Sequence, residues 1–259
     1  MNRRNFLAAG LAGAATTQTW ATSGDATTAS PRQFFELRQY HLRTGSNKGR
    51  VGAFLRETGI AALNRIGINP VGVFETMYGP NQPTLYVLLV HPSLDSVLNA
   101  SARLLADEQV RHQGAAFINA PLSDPSYVRC ESSLMAAFSH MPRIEPPKFA
   151  QRIFELRIYE SHSLAAGKKK IEMFNEGGEI AIFKKTGLNP VFFGETLIGR
   201  QQPNLTYMLA FKDMADRDKQ WQVFRDHPDW QKLRQDPQYK DTVSNITDII
   251  LRPTSYSQV

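Results

Sequence analysis

The chain contains a copy of itself. Phe35-Glu36-Leu37-Arg38-Gln39-Tyr40 recurs as Phe154-Glu155-Leu156-Arg157-Ile158-Tyr159, and Gly67-Ile68-Asn69-Pro70-Val71 recurs as Gly187-Leu188-Asn189-Pro190-Val191. Behind these, Phe74-Glu75-Thr76 is echoed by Gly194-Glu195-Thr196, Gln82-Pro83 by Gln202-Pro203, and Leu85-Tyr86 by Leu205-Thr206-Tyr207. Blocks kept in one order at an offset of roughly 120 residues mark a tandem duplication. The fold must therefore be one unit of roughly 110 residues used twice, a size at which each copy can bury a core.

Each copy reads as strand, helix, two hairpinned strands, helix, strand. Phe34–Tyr40 alternates polar and apolar residues, as a strand does. Asn47–Ile66 carries apolar residues near helical spacing and ends at Gly67, where a C-terminal cap belongs. Val71–Tyr78 and Thr84–His91 form the hairpin around Gly79–Pro83, Leu94–Ala106 and Ala115–Ile118 are helical, and Tyr127–Phe138 is the last strand. The second copy gives strand Ile153–Tyr159, helix Ala166–Thr186, strands Val191–Ile198 and Leu205–Phe211, helices Ala215–Phe224 and Asp229–Leu233, and strand Val243–Leu251. This order is the ferredoxin-like split βαβ motif. The expected class is α+β, with two tandem ferredoxin-like βαββαβ domains packed sheet to sheet as one barrel within the chain. Residues 31–140 and 151–259 would be the two domains, and the Pro-rich stretch 141–150 their linker.

The Glu-Leu-Arg-x-Tyr strand at Glu36 and Glu155, the Gly-[Ile/Leu]-Asn-Pro-Val turn, and Trp221-x-x-Phe224 followed by His227-Pro228-Asp229-Trp230 resemble the NIPSNAP family of the dimeric α+β-barrel superfamily. The resemblance covers about Phe34 to Leu251. In the first copy Ala102 and Arg111 fall where the tryptophans would stand, so its second helical region departs from the pattern. The family has no settled activity, and superfamily relatives include cofactor-independent monooxygenases, isomerases and haem-dependent enzymes, so the resemblance implies a fold more than a reaction.

Ahead of the repeats, Arg3-Arg4 followed by Phe6-Leu7 and the Ala/Gly run Ala8–Ala15 has the layout of a twin-arginine export signal, with small residues before a cleavage point near Ala21. Residues 1–30 are therefore expected to be signal and leader, the translocation machinery a partner, and the mature protein periplasmic or otherwise exported. The apolar run is too short for a stable span, which needs about 20 strongly apolar residues. The +6 net charge is modest, and its tightest run, Lys168–Lys170, is expected as a solvated helix face. The single cysteine, Cys130, excludes an intrachain disulfide and any Cys-rich metal site, and its apolar setting suggests a small buried hydrophobe.

Alternation puts Phe35 and Leu37 on one strand face and Glu36, Arg38 and Tyr40 on the other. With the apolar face against the helices, the polar sets of both copies would line the closed barrel. In one reading they hold the barrel shut, with Arg38 and Arg157 paired to Glu75 and Glu195. In the other they form a small-molecule cavity. There Arg38, Tyr40, Arg157, Tyr159, Glu75 and Glu195 contact an aromatic or anionic ligand, and Glu36, Glu155 or His41 takes a proton. His41 and His162 follow the repeated strands, where a base or haem ligand could stand, but no two histidines have i,i+4 metal spacing. No cofactor is required by any motif, and nucleic acid is not an expected partner because the sheet faces are used within the fold. The function expected is binding or transformation of a small organic molecule, the alternative a non-catalytic interaction module recruiting a partner through the Lys168–Lys170 helix. Further self-association stays open.

Overall fold

The computed structural model describes residues 31–42, 49–79 and 83–259, and the export signal expected over residues 1–30 lies outside them. Pro31–Val259 form one compact unit. The strands are β1 (Phe34–His41), β2 (Val71–Tyr78), β3 (Thr84–His91), β4 (Arg129–Ala137), β5 (Ile153–Glu160), β6 (Asn189–Ile198), β7 (Asn204–Phe211) and β8 (Asn245–Pro253). They close into an antiparallel barrel in the order β1-β3-β2-β8-β5-β7-β6-β4. The first four strands therefore lie side by side as β4-β1-β3-β2, and the last four repeat that order as β8-β5-β7-β6. The halves join edge to edge, β2 to β8 and β4 to β6, so each half covers the open sheet edges of the other.

Helices lie outside the barrel. In the first half, α1 (Arg50–Phe54) continues through a π-helical turn (Leu55–Gly59) into α2 (Ile60–Arg65), and α3 (Leu94–Ala106), α4 (Glu108–Gln113) and α5 (Ala115–Ile118) follow β3. In the second half these correspond to α6 (Leu164–Phe174) and α7 (Glu179–Lys185), then α8 (Met214–Asp226) and α9 (Pro228–Leu233). The single helix expected over Ala166–Thr186 is thus interrupted, and Gly178 at φ +85° supplies the left-handed residue at the break. Ser93 and Asp213 cap α3 and α8, each accepting a bond from a backbone N–H three residues on.

The barrel interior is apolar and filled. All eight strands contribute, including Phe35, Leu37, Phe74, Tyr86, Met135, Phe154, Leu156, Phe192, Met208 and Leu251. Phe35 meets Phe192 at a tilt and Phe74 meets Phe154 edge to face, both with centroids 4.9 Å apart across the halves. Space for the large rings comes from Gly72, where an added Cβ would come within 2.6 Å of the Phe74 ring. A second layer lies between sheet and helices: Val51, Leu55, Leu63, Val73 and Val87 in the first half, and Phe174, Phe183, Phe193, Trp221 and Phe224 in the second.

This arrangement reverses the expected facing. Phe35 and Leu37 enter the barrel, and Glu36, Arg38, Glu155 and Arg157 stand on its outer surface under the helices. Alternation defines two faces of a strand but not which neighbour covers each. Here every residue of β3 and β7 is buried, so the sheet is covered on both sides. A closed lumen offers no water to a charged group, while on the outer face a long side chain can reach solvent at a helix edge.

The 141–150 stretch expected as the linker is packed on the barrel: Gln33 N–H bonds to Pro142 O, Glu145 N–H to Val191 O, and Ile144 and Phe149 pack against the barrel interior. Residues 254–259 do the same for the other half, with Gln258 N–H on Val71 O and Val259 buried in the interior. β4 and β8 run in the same direction, so both segments cover one end of the barrel. Cys130, expected to be buried, is exposed: it lies at the start of β4, which pairs with β1 there but joins β6 only from Leu134 on. Among the described residues no helix is long and apolar enough to cross a membrane.

Candidate functional site

The two copies of the Glu-x-Arg-x-Tyr strand are built into separate clusters, one under each helical layer. In the first half Arg38 turns back on Glu36, donating at 2.7 and 3.0 Å. Ser132 donates to the same carboxylate at 2.7 Å, and His91 Nε2 stands 3.4 Å away with its Nδ1 on Ser96 Oγ at 3.0 Å. Burial opposes ionisation of Glu36, but the contacts from His91, Arg38 and Ser132 outweigh it and lower the pKa to about 2. A carboxylate so stabilised does not serve as the expected proton acceptor. Tyr40 is buried against Phe117 and Tyr127, and Phe117 stacks on Phe54, with centroids 4.3 Å apart. These rings fill the space beside Arg38 and Tyr40.

The second half is different. Arg157 reaches across to Asp248 at 2.9 Å and sits 3.4 Å from Glu155. Glu155, fully buried, accepts from the Trp221 indole at 2.6 Å and from Arg217 at 2.5 Å. It too is committed to structure rather than free as a base. The Arg157 guanidinium lies 4.7 Å from the Trp221 ring and 5.3 Å from Tyr159. Burial opposes its charge, yet Tyr207, Tyr159, Glu155 and Asp248 hold its pKa above the usual value. Tyr207 donates to the Tyr159 hydroxyl at 2.9 Å, and burial pushes Tyr159 up to about 12. Tyr159 therefore stays protonated near neutrality, with its own O–H proton left to donate.

Between this sheet face and α6–α9 lies a cavity of about 390 Å³, walled by Tyr159, Trp221, Phe224 and Trp230, with Arg157, Arg217, Lys170 and Glu179 among the polar groups and Arg225 and Arg234 exposed. Larger grooves occur elsewhere, but this one combines aromatic walls with buried charge. Arg217 Nε is buried without a hydrogen-bond acceptor. Lys170 Nζ contacts Glu179 at 2.8 Å, and both side chains are almost wholly enclosed. Burial raises the Glu179 pKa against the opposing pull of Lys170.

The remaining expected residues do not join this site. Glu75 meets Arg252 at the β2–β8 seam and Glu195 meets Lys168 beside the β4–β6 seam, so neither pairs with Arg38 or Arg157. His41 lies between Thr84 and Glu131 at 3.4 Å from each, and His162 is exposed. Among the described residues neither lines this cavity. Among the described residues no group of His, Cys, Asp or Glu is placed to hold a metal ion. The Lys168–Lys170 run is not a uniform solvated face: Lys168 and Lys169 are ion-paired at the surface, and Lys170 points inward. Lys170, Glu179, Arg217 and Asp248 were missed in the sequence. Helical spacing could have found Lys170, which shares a buried face with Gly167, Met173 and Phe174.

A NIPSNAP family model matches residues 35–136 and again 154–258. The chain belongs to the NIPSNAP family. A NIPSNAP-like domain protein from Burkholderia xenovorans is 24% identical, with a TM-score of 0.38, over 43% of this chain and 92% of its own. The barrel as a whole is similar to a protein from Fusobacterium nucleatum proposed to be a monooxygenase, at a TM-score of 0.56 and 11% identity over 86% and 93% of the two chains. An anthrone oxidase-like protein matches at 0.51 and 10% over 87% and 93%. At these identities the likeness is one of fold, which this NIPSNAP protein shares. None of the curated proteins matches the chain.

Proposed function

We propose that this NIPSNAP protein binds a small aromatic molecule bearing an anionic or carbonyl oxygen, in the sheet–helix cavity of its second half. The observation that carries this reading is Arg217 Nε, a charged donor buried without an acceptor on the wall of an aromatic cavity. Leaving such a donor unmet costs about 1–3 kcal/mol, a cost that a ligand oxygen would remove. Arg157 and Tyr159 stand beside it to share the oxygen, the Trp221 and Trp230 rings supply stacking surface, and Arg225 and Arg234 add positive charge at the rim. The cavity volume is in the range of small-ligand sites, about 300–1,000 Å³. The strand order of each half supports reading the chain as two ferredoxin-like units in tandem. Export through Arg3, Arg4, Phe6 and Leu7 is part of the same proposal, and changing both arginines to lysine should retain the precursor in the cytoplasm.

The test is a thermal-shift and tryptophan-fluorescence titration with aromatic organic acids, comparing the protein with Arg217→Met. Binding should weaken in the variant by about 1–3 kcal/mol. Equal affinity in the two proteins, or no stabilisation by any member of a broad acid library, overturns the reading.

A further inference from the structure

The Lys170–Glu179 pair has no structural task that matches its cost. Both side chains are removed from water, at 6% and 3% exposure, and both line the cavity. A buried ion pair commonly stabilises no better than apolar residues of the same volume. Apart from Glu179, the Lys170 ammonium meets mainly apolar groups: it lies 4.6 Å from the Phe174 centroid, 5.8 Å from Tyr159 and 5.9 Å from Trp230, and 3.2 Å from the Met173 sulfur. An apolar pair would fit there equally well. What apolar residues could not supply is a desolvated carboxylate beside a cation and a neutral phenol.

Resting on the binding site proposed above, we infer that the cavity is a proton-transfer site for an enolisable aromatic 2-oxo acid, with Glu179 as the base. The carboxylate and keto oxygens of such a molecule match Arg217 Nε and Arg157, and its ring matches the indole walls. Glu179 removes a proton from the carbon next to the keto group, the C–H electron pair moves into the new C=C bond, and the C=O pair moves to oxygen as an enolate. The Lys170 ammonium and the Tyr159 O–H stabilise that oxygen, and Tyr207 donates in turn to Tyr159. Glu179, now neutral, returns the proton to the same carbon or to the oxygen. Atoms and electrons balance with no oxidant, and the net reaction is tautomerisation. The arrangement is suited to it because a carboxylate desolvated in this way is a stronger base than one in water.

The experiment uses phenylpyruvate as probe and the full chain in D2O, following loss of the benzylic proton signal by NMR, with binding read separately from tryptophan fluorescence. The protein should accelerate exchange at least tenfold over buffer. Glu179→Gln should bind the probe within threefold of wild type and lose the acceleration, and Glu179→Asp, which keeps the charge, should recover part of it. Should Glu179→Gln fail to fold, Lys170→Arg keeps the cation but moves it, and should slow exchange more than it weakens binding. Binding without exchange in the wild type overturns the proton-transfer inference and leaves the binding reading intact. Absence of any binding overturns the ligand class, and unchanged exchange in folded Glu179→Gln removes Glu179 as the base.

Discussion

Glu36 and Glu155 are the same residue of the repeat, third in β1 and third in β5, and both are buried on the outer barrel face, yet they share almost no partner. The residue opposite the neighbouring arginine separates them. Arg38 faces Ser132 across β4 and so folds back onto its own Glu36, whereas Arg157 faces Asp248 across β8 and is drawn away from Glu155. Glu155 then recruits Arg217 and Trp221 from α8, while Glu36 accepts from Ser132 on β4 and has His91 at the end of β3 beside it. In the first half the vacated space is closed by Phe117 and Tyr127. In the second it stays open as the cavity. The fold demands that a buried carboxylate be satisfied, but which groups satisfy it decides whether a ligand site remains.

Trp221→Ala should produce the largest effect, a loss of about 3–5 kcal/mol in chemical denaturation, because it removes a core ring and an indole donor to a buried carboxylate. Ser101 holds that position in the first half, taking α3 and α8 from their common starts, and Ser101→Ala should be close to neutral. A small loss at Trp221 would mean that the second half does not depend on its aromatic wall.

Acid should probe the first half selectively. Glu36 has a folded pKa of about 2 against 4.5, so its contribution is present above pH 4.5 and is lost as the pH falls toward 2, at most about 3 kcal/mol. His91→Phe places there the residue that the second half has, Phe211, and removes one contact that stabilises the carboxylate. Its acid-unfolding midpoint should move to higher pH, and an unchanged midpoint would show that Arg38 and Ser132 suffice.

Asp248→Ser imposes the first-half pattern on the second. Arg157 should turn back onto Glu155, visible in a crystal structure, at a stability change of about 0.5–1 kcal/mol because Asp248 is partly exposed. Arg157 remaining in place would show that Trp221, not Asp248, positions it. The smallest effect is expected from Leu98→Asp. Leu98 is 81% exposed on α3, where α8 carries Asp218, and melting should change by no more than about 0.5 kcal/mol.

Much of this molecule was legible in its sequence, and the failures have physical causes. The boundaries of β2, β3, α3 and α5 were readable because turn residues flank unbroken apolar or helical runs. The facing of β1 and β5 was not, since a strand covered on both sides gives the same alternation either way round. Tyr86 and Tyr207 look like partners in the repeat, yet Tyr86 enters the barrel and Tyr207 lies under the helices, one residue out of phase. A one-residue slip in the opposite direction put the missing tryptophans at Ala102 and Arg111, where the helices of the two halves instead align Trp221 with Ser101 and Trp230 with Val110. Of the expected site, Arg157 and Tyr159 line the cavity, while Arg217 and Asp248 stand outside the repeated motifs, and it is the packing of α8 and the pairing of β8 with β5 that bring them there.

The seam at β2 and β8 also sets a timetable for making the protein. β2 is synthesised early, and its outer edge stays unpaired until β8, the last of the described strands, can reach it. A nascent chain therefore carries an exposed, aggregation-prone strand edge until β8 emerges, and no amount of local stability in the first half removes it. Closure comes as a single late event, and a chain cut short before Asn245 would be left with two open edges rather than with one finished domain.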